Sequence, residues 1–231
     1  MPTGLTRSPK LLKGALIKLS EDFLGPIPNI IIFQYNPEKM TRTLTPYAPA
    51  EGKDSESASK VQPYDPGEKF SLTLILDAAD ALEEPDQHPV AVIAGVADRI
   101  AALEMLLYPV GDSLLGSLLP GLFGSGEAVP RSEVPVCLFA WGPGRILPVR
   151  LTSFSVEEQA YSPTLFPLRA SVTVGLQVLT DQVFVKPPGV AQSISEQLAG
   201  TAYKYTRGQR ELLARANLAN SVESIMNMLP F

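Results

Sequence analysis

The segment "LRASVTVGLQVLT" alternates without interruption. Leu168, Ala170, Val172, Val174, Leu176 and Val178 fall on one side, and Arg169, Ser171, Thr173, Gly175 and Gln177 on the other. Successive side chains of a strand point to opposite faces, so this pattern predicts a strand with one face in a core and the other in water. "FSLTLILDA" repeats it, with Phe70, Leu72, Leu74 and Leu76 on the apolar side and Ser71, Thr73 and Asp77 opposite. Such strands need partners. "KGALIKL" (13–19) and Ile30–Tyr35 supply two, read as antiparallel across the Gly-Pro turn chemistry between them. "VPVCLFAW" and "RILPVRLTSF" supply a hairpin around Gly142-Pro143-Gly144, whose Pro and Gly suit the second and third positions of a type II turn.

In "VAVIAGVADRIAALEMLLY" the period changes. Val92, Val96, Ile100, Leu103 and Leu107 recur at helical spacing, which predicts one amphipathic helix ended by Pro109 in a mostly β chain. The fold class is therefore mainly β with α. After Lys186-Pro187-Pro188 a hinge leads into a helical tail, with Leu212, Ala216, Ala219, Val222 and Met226 as its stripe. The expected organisation is a β-domain over 1–186, carrying inserted loops at 48–68 and 112–131, and a helical extension over 187–231. Long loops of this kind usually serve a purpose.

Charge and composition exclude several functions. With 19 scattered Lys and Arg, a formal charge of −5 and a pI near 5.0, the chain lacks the clustered cations that bind nucleic acid. Lys10, Lys13 and Lys18 interrupt the N-terminal apolar run, so no signal peptide is read there. The most membrane-like stretch, "MLLYPVGDSLLGSLLPGLFGSG", is broken by Pro109, Asp112 and Pro120, and no direct membrane insertion is expected. A 45% hydrophobic content and mean hydropathy of +0.11 point to apolar surface that one subunit does not cover, and hence to oligomerisation.

No catalytic constellation emerges, and no cofactor or metal is expected. The single His88 lies in a polar turn, and the single Cys137 sits between Val136 and Leu138 as a small core residue. The carboxylates Asp77, Asp80, Glu83, Glu84 and Asp86 lack the spacing and central Gly of a calcium loop and read as solvated groups before a helix. Phosphate-loop, nucleophile-elbow and HExxH motifs are absent from the sequence. Trp141 beside the turn is a strand-end aromatic suited to a core or an interface, with a ligand platform as the other reading.

Several stretches together resemble one family. "FQYNPEKMTRTL" (33–44), "EKFSLTLILDAAD" (68–80), "AALEMLLYP" (101–109) and "FAWGPGRILPVRLTSFSVEEQAYSPTLFPLRASVTVGLQVL" (139–179) are similar, in order and spacing, to tube-type proteins of contractile injection systems, the phage-tail-like particles of bacteria. The likeness is to their baseplate tube-initiator or hub-adaptor members. It implies an antiparallel β-barrel or sandwich of the tail-tube type, in a hexameric ring between the spike-bearing hub and the inner tube. Expected partners are other copies of the chain, the hub protein, inner-tube subunits, and baseplate wedge or sheath proteins. Assembly is expected in the bacterial cytoplasm, with the product then part of the particle. Members often add a C-terminal LysM-like domain, where this chain offers only its helical tail.

On this reading the chain is a non-enzymatic structural protein. Ile30–Tyr35 is core, and Asn36–Pro46 leaves it as a polar arm, because Pro37 lacks the donor that would continue a ladder. Expected contacts with neighbouring subunits or layers are Asn36, Pro37, Lys39 and Arg42 on the arm, Leu118, Leu119, Leu122 and Phe123 on the apolar loop, and Trp141, Arg145 and Tyr161. Arg169, Ser171, Thr173 and Gln177 form the candidate lumen face. Two alternatives stand beside it: a main inner-tube subunit, and a cell-wall or carbohydrate-binding module suggested by Trp141 and a faint LysM echo in "YPVGDSLLGSLL".

Overall fold

The computed structural model describes residues 12–19, 30–46, 64–108 and 136–228, the side chains only as far as residue 218. The predicted loop contacts Leu118, Leu119, Leu122 and Phe123 lie outside the described residues. Seven strands form one sheet: β1 (Ala15–Leu19), β2 (Ile30–Ile32), β3 (Met40–Thr45), β4 (Gly67–Asp77), β5 (Val136–Ala140), β6 (Ile146–Tyr161) and β7 (Pro167–Val178). Their order is β2-β1-β5-β6-β7-β4-β3, and every pairing is antiparallel.

Although β6 and β7 separate β5 from β4 within the sheet, the rings of Phe139 and Phe70 meet with centroids 5.5 Å apart. The sheet therefore curls around its apolar face into a barrel-like layer. Leu16, Phe70, Leu74, Phe139, Leu147, Val149, Val172, Val174 and Leu176 are all buried in that core. Each such side chain stabilises the fold by about 1.5–3 kcal/mol relative to exposure. Cys137 lies among them, fully buried, its thiol pushed up to about 12 chiefly by that burial.

A side chain joins the β2 edge of the curl to the end of β4, beyond the stretch that β3 covers. Gln34, just past β2, accepts from the Asp77 backbone N–H at 3.0 Å through Oε1 and donates to the Asp77 carbonyl at 2.8 Å through Nε2. That pair of bonds is what a neighbouring strand would have offered. Arg99 reinforces it, donating to Gln34 Oε1 at 2.6 Å and to the same carbonyl at 3.2 Å.

The structure corrects four local expectations. Ile30–Tyr35 is not a core strand: only Ile30–Ile32 pairs, at the sheet edge, and Ile30 and Ile32 are 48% and 62% exposed while Phe33 is buried. An edge strand buries one face alone, so an unbroken apolar run here overstates the core. The Asn36–Pro46 arm does not leave the sheet, because Met40–Thr45 returns as β3 and pairs with β4 from Leu72 to Gly67. Pro37 interrupts the ladder only locally.

The single predicted helix is two short ones, α2 (Pro89–Ala94) and α3 (Ala97–Glu104), and a further helix, α1 (Ala79–Glu83), precedes them. Gly95 breaks the run: its φ is +59°, and a Cβ there would lie 2.1 Å from the Pro167 carbonyl oxygen. Val96, Ile100 and Leu103 are buried as expected, whereas Val92, before the break, is 50% exposed. Finally, the β5–β6 turn has its positive φ (+69°) at Gly142, ahead of the proline, and Gly144 has none, so it is not the type II turn expected.

Pro187 and Pro188 precede a turn at Gly189 (φ +91°), and α4 (Ile194–Met228) follows for 35 residues. It starts earlier than the predicted tail helix and is much longer. Ser193 and Glu196 form a capping box: the Ser193 N–H donates to Glu196 Oε2 at 2.8 Å, and the Glu196 N–H donates to Ser193 Oγ at 3.2 Å. Ala199, Ala202, Tyr203 and Thr206 are buried against the barrel, while Leu212 of the predicted stripe is 59% exposed. No helix of the described residues is long and apolar enough to cross a membrane.

Candidate functional site

The face of β4, β7 and β6 turned away from the core is a polar wall broken by Ile75 alone among the rungs below. Register aligns it in rungs: Ser71, Gly175 and Ser153; Thr73, Thr173 and Ser155; Ile75, Ser171 and Glu157; Asp77, Arg169 and Gln159. Small hydroxyl side chains occupy the middle and charges the ends. The hydroxyls of Thr73 and Thr173 are 3.1 Å apart, Arg150 donates to Gln177 at 3.3 Å, and Arg169 Nε lies 3.8 Å from Asp77 Oδ2.

A β-bulge between Leu151 and Ser153 places those two residues opposite Leu176 and Gly175. The extra residue, Thr152, lets Leu151 stay buried while Ser153 joins the polar wall. Gly175 leaves the room this requires, since a Cβ there would sit 2.2 Å from Ser153 Oγ.

Asn36 is occupied within the chain, accepting from the Gly14 N–H and donating to the Leu12 carbonyl, both at 2.8 Å. Pro37 is half-buried and Lys39 exposed. Trp141 is half-buried, stacked on Phe139 at 6.0 Å and tilted against Phe33 at 6.4 Å, so it packs inward. Tyr161 is 51% exposed at the tip of the β6–β7 hairpin. Arg42 donates through Nε to Glu68 Oε1 at 2.5 Å.

Glu68 was not anticipated, yet it organises one end of the sheet. Only 3% exposed, it also accepts from Arg210 of α4 at 2.7 and 2.9 Å. Beside it Asp65 accepts from Arg207 at 2.9 and 3.0 Å and from the Tyr203 hydroxyl at 2.8 Å. Burial first, then the Asp65 carboxylate, holds the Tyr203 phenol well above its ordinary range. Thr206 adds a bond in each direction with the backbone of Ile146, at 2.9 and 2.6 Å. These contacts clasp α4 to β4 and β6. A signal was present: Glu68 shares the inward parity of Phe70, Leu72 and Leu74, and a carboxylate at a core-facing position calls for buried cations.

A cleft of about 480 Å³ opens between β2 and the end of β4, floored by Leu74, Leu76 and Leu103 and rimmed by Lys13, Asp80, His88, Asp98 and Arg99. Its rim mixes both signs of charge. No group of three or more His, Cys, Asp or Glu that could hold a metal occurs among the described residues.

A curled antiparallel sheet with one apolar and one hydrated face, clasped by α4, defines a barrel-like β-protein. The sequence model of the family described as contractile injection system tube protein matches residues 17–183, and the chain belongs to that family. It is thus a tube-type structural component of a phage-tail-like particle. Among curated proteins none matches the sequence significantly.

Proposed function

We propose that this chain forms the hexameric baseplate ring that joins the spike hub to the inner tube and starts tube assembly. The observation that carries this reading is α4. It follows the family-matched segment 17–183, yet it is fixed to β4 and β6 through Glu68, Asp65 and Thr206. A subunit that only stacks on copies of itself has no need of a specialised end; a ring between unlike neighbours does. The polar wall of Arg169, Ser171, Thr173 and Gln177 faces the lumen in this arrangement. The template acts by presenting one face on which the first tube layer forms, and its partners are the hub, the inner-tube subunit and other copies of this chain.

One observation favours a second reading, a main inner-tube subunit. The Glu68 end of β4 gathers arginines, whereas the other end leads into exposed Asp80, Glu83, Glu84 and Asp86, and β6 runs out to exposed Glu157 and Glu158. Opposite charge at opposite ends suits stacking of identical rings. Copy number separates the two. Particles purified through a tagged chain, imaged by electron microscopy and quantified by mass spectrometry, should contain this protein as one ring beside abundant tube and sheath subunits. An abundance equal to that of the sheath would establish the main-tube reading instead, and recovery without particles would overturn both.

A further inference from the structure

Four guanidinium groups gather at the Glu68 end of the sheet around two carboxylates. Arg42 and Arg210 take Glu68, and Arg207 takes Asp65 and, at 3.6 Å on its outer side, Glu211. The fourth, Arg145, follows the exposed Gly142-Pro143-Gly144 turn and is itself half-buried. Its carbonyl accepts from the Trp141 N–H at 2.8 Å, but its guanidinium has no hydrogen bond or ion pair among the described residues. Its guanidinium carbon lies over the Phe70 ring, 5.6 Å from the centroid. A carboxylate offers about four lone-pair positions. Glu68 already uses three of them on Arg42 and Arg210.

Arg145 is thus a cation set on an aromatic face, with two other cations behind it and their shared carboxylate nearly filled. Burial, then Arg42 and Arg210, depress its pKa, and only Glu68 works in the opposite direction. An incoming anion would relieve that repulsion and engage a planar fork of donors suited to bidentate binding. The exposed turn leaves the group reachable from solvent.

We propose that Arg145, backed by Arg42 and Arg210, is a docking site for a carboxylate side chain on an acidic segment of a partner protein in the particle. The proposal rests on the tube-protein reading for its partner, but the site can be tested without particles. The probe is a synthetic peptide of this chain's own acidic segment, residues 79–87 (ADALEEPDQ), added to the full-length protein while the arginine Nε–Hε resonances are followed by NMR.

The Arg145 signal should shift saturably. Raising NaCl from 50 to about 300 mM should weaken binding severalfold. Arg145→Gln should weaken it at least tenfold and Arg145→Lys by less, with both variants melting close to the parent. A peptide with amides in place of its carboxylates should not bind. No shift at millimolar peptide, an equal response to the amide peptide, or an equal response to inorganic phosphate would each overturn the proposal. Particles assembled with the Arg145→Glu chain give the second arm. Loss of a neighbouring component supports the site, and unchanged particles overturn it while leaving the tube-protein reading intact.

Discussion

Replacing Glu68 by glutamine removes the charge that Arg42 and Arg210 share and leaves two guanidinium groups without their carboxylate. Breaking a buried ion pair from one side costs about 3–5 kcal/mol, so Glu68→Gln should lower the urea midpoint sharply. Replacing Arg42, whose side chain is 32% exposed, should cost less. Gly95→Ala tests a second residue. Its positive φ and the 2.1 Å approach to Pro167 oxygen predict a loss of about 1–3 kcal/mol from backbone strain alone. In a chain of this size each kcal/mol lowers the melting temperature by about 2–4 °C. The inward parity of Glu68 is visible in the sequence, but its partners are not: Arg210 lies 142 residues away, and no local pattern links the two. Gln34 was less legible still. Nothing beside it in the chain marks a glutamine that stands in for a strand.

Among the elements, β4 and β7 were legible because each buries one face along its whole length, so alternation in the sequence is alternation in space. β2 and β3 were not, because edge strands are short and their exposure depends on where the sheet stops. The helical period over 92–107 was real, but one glycine divides it, and the break depends on Pro167, which lies far along the chain. In α4 the Ser-Ile-Ser-Glu capping box sits in plain view at its start. Ser193→Ala should cost about 1 kcal/mol, read as faster amide exchange in the first helical turn. Burial raises the Glu196 carboxyl, but the Lys186 ammonium and the Ser193 donors outweigh it and hold the group below the ordinary range. With its folded pKa below the unfolded one, Glu196 stabilises the helix start fully above the ordinary carboxylate range. That contribution is lost as pH falls through the folded pKa. Protection of the first turn measured from pH 6 down to pH 3 should therefore fade at the acid end, and fade less in Glu196→Gln.

At the scale of the whole molecule, the lumen assignment of the polar wall is open to a direct chemical test. Cys137 is buried and its thiol is pushed up to about 12, so the parent chain offers almost no thiolate at neutral pH. A Thr173→Cys chain therefore carries one reactive thiol, in the middle of the wall. It should react with a polymer-linked maleimide as a free subunit and be shielded from it in assembled particles, while still admitting a small maleimide. Equal reaction with the large reagent in both states would place Thr173 on the outside.

The join that Gln34 makes between β2 and β4 has a mechanical meaning as well. Force applied along the strands meets the β6–β7 ladder, which runs from Val149 opposite Val178 to Tyr161 opposite Pro167, and loads its bonds together in shear. Force that spreads β2 away from β4 meets a few side-chain bonds instead, from Gln34, Arg99 and the Tyr35 hydroxyl on Asp80, which are loaded one after another. The fold should therefore resist pulling along its strands more than spreading across this join, a difference that single-molecule pulling from two pairs of attachment points would read.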